Sequence, residues 1–516
     1  MSSAAYDSIV YDASAHTHTH PTRLATMAHL MGLSPPDVRT SRILELGCAT
    51  GTNLFAIAEG YPEASFLGID YSAKQIEAGN ARIAASGIGN LRLEHRSIAD
   101  ISEADGTFDY IIAHGVYSWI PKQMQEKLLQ ICSRNLSKNG VAYVSYNTLP
   151  GWSLNGLVRD IMMFHTRHFK EQEQVPHAKA ILQFLSQNSP ADTPYGQLLR
   201  ETSARLAKQQ DYYLAHEYLE VENEAIHFHE FVSRVRTHEL EYLAEVELGS
   251  MLPNFLPADV LNIITQFSKD FIDYEQYLDF LRARSFRQSL LVHTDAPLVR
   301  QITPARIASL SAFPTFAAHV ALAEINRDEK SVRFNNALGH TVDSADPLFK
   351  AILRTLADAA PMTLSVDEIV AAIPPTDDKM TAATWREIVC MRLLEAFGTG
   401  LVRLVKDPPQ TDYAVIDERP KVSAVARVEA GFGKTVTIKG HQGQQWDFVH
   451  LKIVGLLDGT RTRGELGQLL AESHRKGEFK FADGTDNMPA TIVTAKLAAL
   501  LDHILQNVRN AGLLRF

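Results

Sequence analysis

Between residues 42 and 147, short runs rich in β-branched and aromatic residues alternate with longer helical stretches, and this alternation restricts the chain more than any other feature. Strands separated by helices pair side by side in a parallel sheet, with the helices covering its faces. The strand candidates are RILEL (42–46), SFLGID (65–70), LRLEHRS (91–97), FDYIIAHG (108–115) and VAYVSYN (141–147). Between them NLFAIAE and KQMQEKLLQICSRNL read as helices, the last closed by a turn at Asn139-Gly140. The fold class expected from this pattern is α/β, a doubly wound, Rossmann-like sheet.

In such a sheet a ligand lies beyond the carboxyl ends of the strands, and the first of these ends reads ILELGCATGTN. A triphosphate loop closes on Gly-Lys-Ser/Thr, whereas this one has Gly51-Thr52-Asn53 and no lysine to meet phosphates. A dinucleotide loop needs Gly-x-Gly-x-x-Gly. Here Ala49 and Thr52 take the second and third glycine positions, which removes the close backbone approach a pyrophosphate requires. What remains is a small ligand without phosphates that carries a ribose. Asp70, at the end of the second strand and 23 residues after Gly47, is placed to accept bonds from two ribose hydroxyls.

These residues resemble the class I S-adenosylmethionine-dependent methyltransferases, whose first motif is an acid, any residue, then Gly-x-Gly-x-Gly. Glu45, Gly47, Cys48, Ala49 and Gly51 match it, with Ala49 as the one departure. The resemblance implies S-adenosyl-L-methionine as cofactor, held by Glu45, Gly47, Cys48, Ala49, Gly51, Asn53, Asp70, Tyr71, Ser97, Ile98 and His114. Where the family often carries an acid near the adenine, this chain reads Arg96-Ser97-Ile98, which leaves adenine recognition to backbone groups and Ser97.

The acceptor is expected at the loops after the fourth and fifth strands, HGVYSWIP (114–121) and YNTLPGW (146–152). Methyl transfer from a sulfonium is an in-line displacement, to which a protein contributes position, orientation and removal of a proton blocking the nucleophile. Aromatic ring faces attract a cationic donor and an amine acceptor. Tyr117, Trp119, Tyr146 and Trp152 are the candidates, with Asn147 as a polar guide; each aromatic also reads as a core or lid residue at a strand end. A lysine acceptor has an unperturbed pKa near 10.4, so roughly one amine in 2,500 is neutral at pH 7 and the site must favour that form. A tyrosine hydroxyl or a burying lid can do so without a strong base. His114 reads as a proton acceptor, a cofactor neighbour or a structural histidine.

From residue 151 the periodicity turns helical for some 70 residues. FHEFVSRVRTHELEYLAEVEL (228–248) then reads as a helix running into a strand and SFRQSLLVHT (285–294) as a further strand, both closing the same sheet. On that reading 151–227 and 249–284 are helical insertions capping the site; a separate helical domain starting at 151 fits equally well. The expected division is 1–150 for the cofactor-binding core, 151–295 for a helical middle or regulatory region supplying the closing strands, 296–340 for a connector with a hairpin around SVRFNNALGHTVDS, and 341–516 for a C-terminal domain. That last part repeats itself faintly, PLFKAILRTLAD, LSVDEIVAAI and TWREIVCMRLLEAFGTGLVRLV being echoed by FVHLKIVGLLDG, TRGELGQLL and the final 25 residues. Three helices and a strand per copy is a winged-helix order. With 21 Lys+Arg against 22 Asp+Glu in 341–516, it reads as a protein-interaction or packing module without a basic face for nucleic acid.

A closer resemblance rests on HGVYSWIP, YNTLPGW, DYYLAHEYLE with FHEF (211–231) and FRQSLLVH (286–293). Together they look like the bacterial methyltransferases that carry a methyltransferase regulatory domain, whose best understood members are rickettsial protein lysine methyltransferases acting on outer-membrane proteins. This implies a protein substrate, an outer-membrane or surface protein met before export, and a C-terminal domain that helps to hold it. Homodimers are compatible with it.

Other features carry less. The HTHTHP run (16–21) and the His227, His229 pair suggest metal binding, but no Cys or nearby carboxylate completes a set, so no metal is expected. An N-terminal segment folding over the cofactor with Tyr6 and Tyr11 is the preferred reading. The acidic run HEYLEVENEA (216–225) reads as a solvated helix end or a contact for a lysine-bearing substrate. Three cysteines in 516 residues, no apolar run of membrane-spanning length and no basic-then-apolar start point to the cytoplasm, and a net charge of -10 disfavours a general nucleic-acid grip. The expected function is methyl transfer from S-adenosylmethionine to a protein amine, a lysine side chain. Its rivals are methylation of a small molecule and a catalytically silent cofactor-binding regulator; an open channel lined by Tyr117 and Trp119 favours an enzyme.

Overall fold

The computed structural model of the protein describes residues 14–253, 256–318, 320–336, 339–375, 377, 379–409, 416–482 and 485–515. Its centre is a seven-stranded sheet of β1 (Arg42–Leu46), β2 (Ser65–Asp70), β3 (Leu91–His95), β4 (Phe108–Ala113), β5 (Leu136–Asn147), β6 (Leu240–Glu245) and β7 (Phe286–His293), in the order β3-β2-β1-β4-β5-β7-β6. The first five strands are parallel, and β7 pairs antiparallel with both β5 and β6. The order reverses at β1, whose register sets Glu45 beside Gly68 on β2 and Ile112 on β4. The carboxyl end of β1 is therefore the switch point at which ligands bind.

Local sequence explains most of the element limits. Ser72 caps helix Ala73–Ser86 by accepting a bond from Gln75 N, and Gly87, left-handed at φ +76°, ends it. β3 stops at His95, short of the expected Ser97, because Ser97 caps the 3-10 turn Ile98–Asp100 in a reciprocal box with Asp100. Nor do Asn139 and Gly140 form the turn expected there. The preceding helix ends at Arg134, and both residues lie inside β5, where the pairing with β4 jumps from Leu136 to Val141. Asn-Gly suits a bulge as well as a turn.

Four helices, Trp152–Thr166, Glu171–Asn188, Pro194–Leu206 and Asp211–Tyr218, follow β5 and share a core of Val158, Met162, Leu182, Leu199 and Leu214. β7 is fixed by a buried ionic group: Arg287 donates to Glu245 (2.8 Å), Asp279 (2.8 Å) and Glu275 (3.2 Å). A hairpin of Val332–Asn336 and Thr341–Ser344 lies in the connector.

Helices Pro347–Ala359, Val366–Ala372 and Ala382–Gly398 precede strand Val402–Val405, and their core is continuous with that of the sheet. The last part has a core of its own, formed by helices Phe448–Leu456, Arg463–Arg475 and Ala490–Asn510 with strand Leu514–Arg515. It adds a helix, Ala424–Phe432, and a hairpin, Thr435–Ile438 with Gln442–Gln445, that periodicity did not reveal. No described helix is long and apolar enough to cross a membrane.

Candidate active site

The loop after β1 is built from left-handed backbone at Gly47 (φ +74°), Ala49 (φ +50°) and Gly51 (φ +66°). A Cβ on Gly47 would lie 2.6 Å from Val116 Cγ2 and one on Gly51 2.6 Å from Leu93, so conformation and space both demand glycine there. Ala49 keeps its methyl group because its N–H is anchored on Asp70 Oδ2 (2.8 Å). The N–H groups of Gly47 and Cys48 both donate to Ile69 O, which ties the loop to the end of β2. The Cys48 side chain is buried in the core, so that residue offers only its backbone to the loop.

Asp70 also accepts from Ser72 N (2.9 Å), and each of its oxygens retains a lone pair. Burial pushes its carboxyl up, against the pull of those backbone bonds. Glu45 is buried beneath the loop: Oε1 accepts from Asn53 Nδ2 (2.8 Å), whereas Oε2 is buried without a partner among the described residues. Burial pushes the Glu45 carboxyl up to about 8. A buried acid with an orphaned oxygen beside a close-approach turn fits a small cation with an ammonium group, and a ribose fits Asp70. The residues present thus suit S-adenosylmethionine.

Two of the expected cofactor side chains, Asn53 and Tyr71, are placed differently. Asn53 has its amide saturated by protein groups: Oδ1 accepts from His16 N (3.0 Å), Thr19 Oγ1 (3.0 Å) and His441 Nε2 (2.6 Å), and Nδ2 donates to Glu45 and Thr19. It holds Glu45 rather than a ligand. Tyr71 is 46% exposed, and its carbonyl is bonded to His95. The Ser97 hydroxyl accepts from Ala99 N as a cap, while Ile98 packs on the core beside it.

His114 follows β4 as a half-buried, neutral imidazole whose Nδ1 lies 2.8 Å from the Tyr143 hydroxyl and 3.4 Å from Ser145 Oγ; desolvation holds its pKa far below the usual range. The ring of His16 lies over it, centroids 4.2 Å apart. The N-terminal segment does fold over this end of the sheet, while Tyr6 and Tyr11 lie outside the described residues. Among the described residues no group of three His, Cys, Asp or Glu side chains could hold a metal ion.

The aromatic set splits in two. Tyr117 and Tyr146 are each 1% exposed and pack on Phe231, with Tyr146 stacked on it at 4.0 Å. The Tyr117 hydroxyl, 3.5 Å from Arg234 Nη1, is pushed up to about 12 by burial, and the Tyr146 hydroxyl meets Ser289 Oγ (3.3 Å). Both are core residues that pack behind the loops. Trp119 and Trp152 instead form a perpendicular pair 6.1 Å apart at the ends of β4 and β5, with Trp119 reaching the surface. Trp152 Nε1 donates to Asn223 Oδ1 (2.9 Å), a partner hidden in the acidic run. Asn147 lies between the two groups, its backbone N–H on Ser118 Oγ and its Nδ2 buried with no partner among the described residues.

Comparison with known proteins covers the same ground. A methyltransferase domain family matches residues 37–217, a predicted methyltransferase regulatory domain 210–293, and the C-terminal winged helix domain of PKMT 418–513. An uncharacterized protein of Rickettsia prowazekii (strain Madrid E), RP789, is 37% identical over 370 residues, 70% of this chain and 67% of the relative. A second from the same organism, RP028, is 40% identical over 233 residues, 45% of this chain and 93% of that one. The solved structure of PKMT2 from Rickettsia typhi is 27% identical and covers 98% of this chain and 99% of its own with a TM-score of 0.85; its complex with AdoHcy gives 0.87.

Proposed function

The chain belongs to the class I S-adenosylmethionine-dependent methyltransferases that carry a methyltransferase regulatory domain, and from that premise we propose that it methylates a protein amine, a lysine side chain. The carrying observation is the Trp119–Trp152 pair at the strand ends, one indole reaching the surface. Perpendicular indoles present a π face to an incoming aliphatic amine, and such faces favour cationic groups. The whole-length likeness to PKMT2 supports the same reading.

S-adenosylmethionine supplies a methyl group on a positively charged sulfur, open to in-line attack. The residues of this chain bind and orient. Glu45 Oε2 is the acceptor for an ammonium, Asp70 for the ribose hydroxyls, and the Gly47–Gly51 turn allows close approach. Ser97 and Ile98 flank the adenine side, and His114, held neutral by burial, lines the wall toward β4. The Asn147 amide aligns the acceptor, and Trp119 with Trp152 receives it as the ammonium on its way to the methyl group. In this reading residues 1–150 hold the cofactor, 151–295 cap the acceptor side, and 341–516 hold a protein substrate met in the cytoplasm before export, an outer-membrane or surface protein.

The test is transfer of labelled methyl from S-adenosylmethionine to a lysate of the source cell, with wild type beside Asp70→Ala. Label on discrete protein bands, lost in the variant, is the expected result. Label confined to small molecules makes the chain a metabolite methyltransferase. Cofactor binding without any transfer makes it a regulator.

A further inference from the structure

The hairpin of the C-terminal winged helix ends in the turn Lys439-Gly440-His441, and this tip is buried against the methyltransferase core. His441 is 6% exposed and left-handed at φ +60°, a strained conformation for a residue with a side chain. Three elements grip the tip. Arg403 Nη1 donates to Gly440 O (2.6 Å), Thr17 Oγ1 donates to His441 O (2.9 Å), and His441 Nε2 lies 2.6 Å from Asn53 Oδ1.

The backbone N–H of His16 can only donate, and it donates to Asn53 Oδ1, which fixes the orientation of that amide. Nδ2 therefore faces Glu45 Oε1, and His441 carries its proton on Nε2. The other end of the same helix, Thr52–Ala58, is held as well: Glu59 Oε1 accepts from Ala424 N (2.6 Å), at the start of helix Ala424–Phe432. The C-terminal domain thus clamps both ends of the helix that follows the glycine turn, and one clamp reaches the motif acid through a single amide.

We propose that His441 is a positioning residue for the cofactor: by holding Asn53 it fixes Glu45 with its partnerless oxygen directed to the binding turn, so the hairpin of the C-terminal domain completes the cofactor site. Glu45 alone is bonded on one oxygen only, and a buried carboxylate with one anchor rotates unless that anchor is itself fixed. The inference needs the cofactor and not the acceptor, so it stands apart from the lysine assignment.

The experiment is calorimetric titration of S-adenosylmethionine into the full chain, with thermal melting of each variant in the absence of cofactor. His441→Ala and His441→Met, the latter retaining volume without a donor, should each weaken binding roughly tenfold, as expected for losing one buried polar bond. His441→Gln, whose amide N–H still reaches Asn53, should recover affinity to within about threefold of wild type. The double variant His441→Met with Asn53→Ala should bind no more weakly than Asn53→Ala alone, because one residue acts through the other. Wild-type affinity in His441→Met, failure of His441→Gln to recover it, or losses that multiply in the double variant would each overturn the proposal. If His441→Ala does not fold, the Met and Gln variants decide.

Discussion

Glu45 carries a proton near neutral pH because burial has pushed it up to about 8, yet an ammonium ligand demands the carboxylate. Binding must therefore release that proton. Affinity for S-adenosylmethionine should rise with pH from 6.5, by at most about tenfold per unit, pass through a maximum near 8 and fall above it as the ligand's own ammonium loses its proton. Titrations across that range test this, and Glu45→Gln should bind weakly with a flat profile. At the acceptor side Trp119→Ala should lower transfer to protein roughly tenfold, through loss of a ring face. Tyr117→Phe removes only a 3.5 Å contact with Arg234 and should keep activity within about twofold. Steady-state rates on a protein substrate distinguish the two. Spacing alone grouped Glu45, Gly47, Gly51 and Asp70, and the structure sets all four around the turn after β1, because a turn of this shape tolerates few alternatives. It could not separate Trp119 from Tyr117, since both follow the same strand and only the packing of Phe231 decides which is core.

The glycine turn shows how tightly elements are coupled here. Gly47→Ala adds a methyl group 2.6 Å from Val116 at a φ of +74°, and should cost about 1–3 kcal/mol in denaturant unfolding and abolish cofactor binding. At the far edge, Arg287→Met leaves Glu245, Glu275 and Asp279 buried with Arg284 and the more distant Arg282 as the cations near them. A loss of about 3–5 kcal/mol at pH 7 is expected. The uncompensated carboxyls would have raised pKa values in the folded state, so part of the loss should return as pH falls and they protonate. Parallel unfolding curves at pH 5 and pH 7 read this directly. Five of the seven strands follow from alternation, and β6 and β7 from apolar runs bounded by charge. The hairpin at 435–445 was not legible because its second strand, QGQQ, has no apolar residue, and the Asn53 that meets its tip lies almost 400 residues away.

Across the whole molecule, His16, His20, His114 and His441 meet where the N-terminal segment, the sheet and the C-terminal domain join. Burial lowers His16 to about 4 and His20 to about 3, and holds His114 and His441 well below the ordinary value. Their folded pKa values lie below the unfolded 6.5, so their contribution is complete above pH 6.5 and is lost as pH falls toward 4. Protonating the unfolded histidines while these stay neutral makes the fold less stable at pH 5 than at neutrality. Melting temperature should drop steeply over this window, and His20→Asn should soften the drop. The HTHTHP run announced this junction without its meaning, since its partner His441 is separated from it by most of the chain. What the junction does is hold the N-terminal segment and the C-terminal domain against the methyltransferase core. The most direct measurement is mass spectrometry of the labelled product after transfer from S-adenosylmethionine. N-methylated lysine at defined positions of a protein, absent with Asp70→Ala and reduced with Trp119→Ala, is the predicted result. Methyl on a small molecule alone, or on protein carboxylates with lysines untouched, would contradict it.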